Sequence, residues 1–175
     1  MKKMSKTEKF YLWTIVAVNL AATLQHFLYE WIPCNFIATF APVNESVWEH
    51  LKLTFYPTLT AFFVGWFVLR NEGDFKKNDF VASCLLAVTA EVLTIAAGYY
   101  LLHSGFGIGK DAMWVDIALM VVATVIGQII ALHVYKRAHC VRACMIGSAV
   151  IIVLMIAAFV TLSFVPPRLP IFIEP

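Results

Sequence analysis

"VRACMIGSAVIIVLMIAAFVTLSF", residues Val141 to Phe164, carries one charge, Arg142. As a helix it is long enough to cross a hydrocarbon layer ~30 Å thick, which takes about 20 apolar residues. Four further runs of this kind lie at Phe10–Ile32, Leu51–Arg70, Phe80–His103 and Ala112–Tyr135. Hydrophobic residues make up 61% of the 175, with a mean hydropathy of +0.81, well above the roughly 45–50% apolar content of soluble domains. The connections are too short to hold a separate soluble domain. The sequence predicts an all-α integral membrane bundle of five helices, one domain over residues 1–175.

Charge placement sets the expected orientation. With the N-terminus inside, the inner segments carry Lys2, Lys3, Lys6, Lys9, Arg70, Lys76, Lys77, Lys136, Arg137 and Arg142, and only Lys52, Lys110 and Arg168 fall outside. This excess of inner positive charge predicts N-in and C-out in a plasma membrane, with an extracellular Pro-rich tail over residues 165–175. The same rule accounts for the basic N-terminus, so no nucleic-acid partner is expected. The first run exceeds the ~7–15-residue core of a signal peptide and ends at Glu30-Trp31-Ile32-Pro33 without a small-residue cleavage site, so it reads as a retained span.

The four cysteines do not predict a disulfide framework. Cys34 falls outside, Cys84 within a span, and Cys140 and Cys144 at the inner face, where with His139 they match no standard zinc spacing. "HSGFGIGKDAM" alternates Gly105, Gly107 and Gly109 but follows no strand, so it reads as a tight outer turn rather than a phosphate loop. The tail "VPPRLPIFIEP" holds four prolines. It is expected to run extended along the outer face, with Ile171, Phe172 and Ile173 tucked back onto the bundle.

Against this background "PVNESVWEH", Pro42–His50, is unusual for its density of acid. Asn44, and Ser46 with Glu49 three residues on, are capping signals that start the second long helix. Acids in a first turn suit the helix dipole, but a pair at i, i+4 opposes itself. Glu45, Glu49, Lys52 and Tyr56 share a helical stripe, and so do Asn19, Thr23, His26 and Glu30 on the first span. Lipid offers no hydrogen bonds, so polar stripes are expected to face the bundle interior or a wet cavity. Most of the acid lies outside, at Glu30, Glu45, Glu49, Asp111, Asp116 and Glu174. The spacing predicts an outward-facing pocket with ligand-binding residues His26, Glu30, Asn44, Glu45, Trp48, Glu49, Lys52, Tyr100 and Asp116, roofed by Trp48 and the tail and floored by Glu91. His26, Glu45 and Glu49 are the candidate metal ligands. Glu49, His50 and Glu91 are the candidate catalytic groups. Gln128 and His133 read as helix–helix glue.

"HFLYEW", "FAPVNESVWEHLKLTFYP", "GIGKDAMWVDI" and "PPRLPIF", in that order, resemble the DUF6512 family of small bacterial membrane proteins. The resemblance implies a compact polytopic protein of the bacterial cell membrane and brings no activity with it. Its pattern covers His26, Asn44, Glu45, Trp48, Glu49, His50, Lys52 and Asp116.

Three functions are consistent with these residues. The first is binding, and with it transport, of a cation or small polar ligand, with Glu91 passing charge; five spans then call for a homo-oligomer or a partner subunit. The second is a membrane-embedded enzyme acting on a lipid or isoprenoid by Glu/His acid–base chemistry or through a divalent metal cofactor. Glu49 and His50 are adjacent, however, and point ~100° apart on a helix, so they do not readily share one ion. The third is an accessory or scaffold subunit in which Glu49 pairs with Lys52 and His26 with Glu30.

Overall fold

The computed structural model of the chain describes residues 4–109 and 112–174. Lys2, Lys3, Lys110 and Asp111, whose charges entered the reading above, lie outside them. A Ser5–Glu8 capping box opens α1 (Lys6–His26), each residue's side chain accepting from the other's backbone N–H. Two single turns follow, α2 (Leu28–Trp31) and α3 (Asn35–Ala38), then α4 (Val47–Leu69) and α5 (Lys77–Tyr100). A π-helical turn, Leu101–Gly105, extends α5. The long helices α6 (Met113–Arg137) and α7 (Arg142–Phe164) and a 3-10 turn at Pro170–Phe172 complete the chain.

All five expected spans are present, as Lys6–Trp31, Val47–Leu69, Lys77–Gly105, Met113–Arg137 and Arg142–Phe164. By length and composition the chain is a multi-pass membrane protein. Several helices outrun their apolar cores because polar first turns are helical too: Lys6 precedes the expected start at Phe10, and Val47 precedes Leu51.

α5 is the hub. It packs along α6, α4 and α7, while α1 packs against α4 and α6, so α1, α4, α5 and α6 close a ring and α7 leans on it from outside. The most apolar window of α7 is only 11% buried against 50% for α4. A helix apolar on every side is suited to that position, with lipid around most of it. Gly98 and Gly127 let α5 and α6 approach closely: a Cβ on Gly127 would lie 2.6 Å from Glu91 Cγ and 3.0 Å from the Ala87 carbonyl oxygen. Small residues at contacts are how helices pack in lipid.

Among the described residues the interior has two apolar clusters. One, at the end bearing the N-terminus and most of the basic residues (the basic end), gathers Tyr11, Phe62, Phe80 and Tyr135, with Tyr11 Oη 2.7 Å from Ser83 Oγ. The other gathers Leu51, Phe55, Val88 and Phe159 towards the end bearing the proline-rich tail (the tail end). Trp48 packs there between Phe159 and Phe172, at centroid distances of 4.7 and 4.8 Å. The tail therefore returns to the bundle through Ile171 and Phe172, while Ile173 stays exposed. It is not extended throughout. Pro170 opens the 3-10 turn, a first-turn position where its missing N–H costs no bond.

Candidate functional site

The segment 33–46 lies across the tail end and is fastened from below by α4. Ser46 caps α4 by accepting from Glu49 N, and Asn44 Oδ1 accepts from Ser46 N one step earlier. Starting the helix at Val47 leaves Glu45 off the expected Glu45–Glu49–Lys52–Tyr56 stripe. Glu49 points inward. Its Oε2 takes a charged bond from Lys52 Nζ at 2.6 Å and another from Val43 N at 3.0 Å, and its Oε1 accepts from Ser163 Oγ of α7 at 2.6 Å. The Lys52 ammonium also donates to the carbonyls of Ala38 and Ala41, and Gln25 Nε2 donates to those of Phe40 and Lys52. Every donor of Lys52 thus has a fixed acceptor, the condition under which a buried charge is tolerated. Glu49 and Lys52 form a latch between the loop, α4 and α7.

His50, one residue on, turns the other way and meets His26, the last residue of α1, at a ring-centroid distance of 5.3 Å. Its Nδ1 lies 3.0 Å from the Ser46 carbonyl oxygen and its Nε2 3.3 Å from Glu45 Oε2. A backbone carbonyl only accepts, so Nδ1 carries the proton. In the neutral ring Nε2 then presents its lone pair to a carboxylate. Ligand atoms of His26, Glu45 and His50 all lie within 4.8 Å of one another. His26 Nδ1 is buried and has no hydrogen-bond partner among the described residues. Two imidazoles and a carboxylate are a zinc-type donor set, and the carbonyl behind His50 fixes its tautomer as outer partners of metal-bound histidines do. The candidate ligands His26 and Glu45 are brought together. Glu49 is diverted into the latch, and His50 takes the third place.

The remaining expected site residues are dispersed. The Asn19–Thr23–His26–Glu30 stripe does not face the interior: Asn19 and Thr23 donate back to Ile15 and Asn19 of their own helix, and Glu30 is exposed. The buried face of α1 runs instead through Tyr11, Thr14, Val18, Ala22 and Gln25. Glu91 is fully buried among α4, α5 and α6, accepting from Thr58 Oγ1 at 2.7 Å and Gln128 Nε2 at 3.0 Å. Thr58 is eight residues past His50, ~12 Å further along α4, so Glu91 is a separate centre and not a wall of the histidine cluster. Asp116 pairs with His103, whose Nε2 lies 2.9 Å from Asp116 Oδ1 and whose Nδ1 lies 3.0 Å from the Ile108 carbonyl oxygen. Tyr100 packs edge-on against Tyr99, whose ring covers His103.

Three partners escaped sequence reasoning: Ser163, Thr58 and His103. Each acts across helices, and no local spacing marks it. Gln128 is helix glue of a specific kind, binding the Glu91 carboxyl.

Searches of curated proteins and of solved structures find no match. The model of DUF6512, described as a family of unknown function, matches residues 1–175. The order of motifs seen in the sequence is thereby accounted for, and the chain belongs to the DUF6512 family.

Proposed function

We propose that this is a protein of the bacterial plasma membrane with its basic end in the cytoplasm, and that His26, Glu45 and His50 bind a divalent cation of the zinc class at the external face. The observation that carries this reading is the approach of His50 Nε2 to Glu45 Oε2 with the imidazole proton held on the opposite nitrogen. Two lone-pair donors facing each other at 3.3 Å need a proton or a metal between them. The ligand–ligand edge of a tetrahedral site with bonds of ~2.1 Å is about 3.4 Å, close to that separation. His26 closes the third corner by a side-chain rotation, and solvent or a substrate atom takes the fourth. The partly exposed position of the cluster suits capture from outside, and Glu91, an acid deep in the bundle, is the group through which capture would extend to transport in a homo-oligomer.

Cobalt(II) tests the assignment. Added to the purified protein in detergent, it is expected to give the intense visible bands of a tetrahedral site, saturating at one equivalent and absent from His50→Ala. Weak octahedral bands, or bands unchanged by His50→Ala, would refute it.

A second reading has its own observation. A groove of about 1020 Å³ runs between α1, α4 and α7, lined by Trp13, Ala21, Pro57 and Val160 and reaching Gln25, Trp31 and Phe40 towards the tail end. An acyl or isoprenoid chain lying there would bring its head group to the same end of the bundle, as an enzyme acting on lipid requires. Lipid turnover by the zinc-loaded protein, lost in Glu45→Gln, would favour that reading over simple capture.

A further inference from the structure

At the opposite end of the bundle a second pair of reactive side chains is held in place. Cys140 lies in the connection between α6 and α7, where Asp79 Oδ1 accepts from its backbone N–H at 2.7 Å and Asn78 Nδ2 donates to its carbonyl at 3.0 Å. Both clamps come from the first turn of α5. Val141 is the N-cap of α7, which places Cys144 at the third position of that helix, and its Sγ lies 3.0 Å from Cys140 Sγ. Cys144 is exposed and Cys140 half-buried, whereas Cys84 is buried in the bundle and Cys34 lies near the tail end.

We propose that Cys140 and Cys144 are a reversible dithiol–disulfide pair, oxidised by a low-molecular-weight disulfide reaching the basic face of the protein. A disulfide bond is ~2.05 Å long, so closure needs about 1 Å of approach from sulfurs already in contact. A zinc-type thiolate site, with bonds of ~2.3 Å, would need them about 3.8 Å apart, so the geometry favours the covalent bond over the metal. The order of attack follows from the surroundings. Cys144 is the more exposed thiol and the one an incoming disulfide reaches first. Hydrogen bonding with Cys144, and secondarily burial, pushes the Cys140 thiol up to about 12, so Cys140 acts second.

In the first step the Cys144 thiolate attacks one sulfur of R–S–S–R, forming Cys144–S–S–R and expelling R–S⁻. In the second, Cys140 gives its proton to that thiolate and attacks Cys144 Sγ. The Cys140–Cys144 bond forms, the bond to R breaks, and a second R–S⁻ leaves and takes up the proton first lost by Cys144. Two protein thiols are oxidised and one small disulfide is reduced to two thiols. The product joins the first turn of α7, the least buried span, to a connection already clamped to α5.

The test is intact-mass analysis of the full-length Cys34→Ser protein in detergent, treated with oxidised glutathione and then alkylated under denaturing conditions. The expected product has lost two hydrogens, carries no glutathione, resists alkylation at both Cys140 and Cys144, and returns to the dithiol with dithiothreitol. Cys140→Ser is expected to stall as a glutathione adduct on Cys144, and Cys144→Ser to form no intramolecular bond. A stable adduct on the parent protein, or independent alkylation of both thiols after oxidant treatment, would overturn the proposal.

Discussion

The Lys52 ammonium lies 2.6 Å from the Glu49 carboxylate one turn back on α4, with 0% and 3% of the two side chains exposed. The sequence feature that first suggests a ligand site is therefore divided by the fold between two tasks. Glu49 and Lys52 hold the tail-end loop to α4, and Glu45 and His50 face outward towards His26.

The buried pair should be costly to halve. Lys52→Met leaves Glu49 without its cation, and Glu49→Leu leaves Lys52 without its anion. Each is expected to lose about 3–5 kcal/mol, the usual range for an uncompensated buried charge. The double replacement Glu49→Leu/Lys52→Met should recover a large part of that loss. Thermal unfolding in detergent, followed by circular dichroism, checks this; additive losses in the double variant would show that the two charges do not act as a pair.

Gly127 and Glu91 should be coupled as well. A methyl group on Gly127 would press on the Glu91 side chain, and overpacking of this kind costs about 1–3 kcal/mol. In a Glu91→Ala background the obstructing Cγ is gone, so Gly127→Ala is expected to cost clearly less there. A double-mutant cycle on unfolding measures the difference. Equal costs in both backgrounds would place the obstruction at the Ala87 carbonyl instead.

The cysteines report orientation. With the basic end in the cytoplasm, a membrane-impermeant maleimide should label Cys34 in intact cells and reach Cys144 only after lysis, each measured in a variant retaining that one exposed cysteine. Labelling in the opposite order would reverse the assignment.

The architecture was legible because membrane spans announce themselves through length and apolarity alone, as Val141–Phe164 does. The α4 start was legible too, since Ser46 and Glu49 carry a capping signal that depends only on local spacing. The direction of each side chain was harder. Moving the start of α4 past Glu45 removed that residue from the stripe it shared with Glu49, and Gln25 rather than His26 proved to lie on the buried face of α1. Partners such as Ser163 for Glu49 and His103 for Asp116 depend on which helices touch, and a single sequence does not encode that in any local pattern.

Zinc titration of the purified protein by calorimetry, at a pH where imidazole is neutral, tests the central claim most directly. The account predicts one zinc per chain in the wild type and in Asp116→Asn, and loss of that binding in His50→Ala and Glu45→Gln, with affinity falling as the solution is acidified because protons compete for the ligand nitrogens. A wild-type protein that takes up no zinc, or one whose zinc is held equally well without His50 and Glu45, would contradict it.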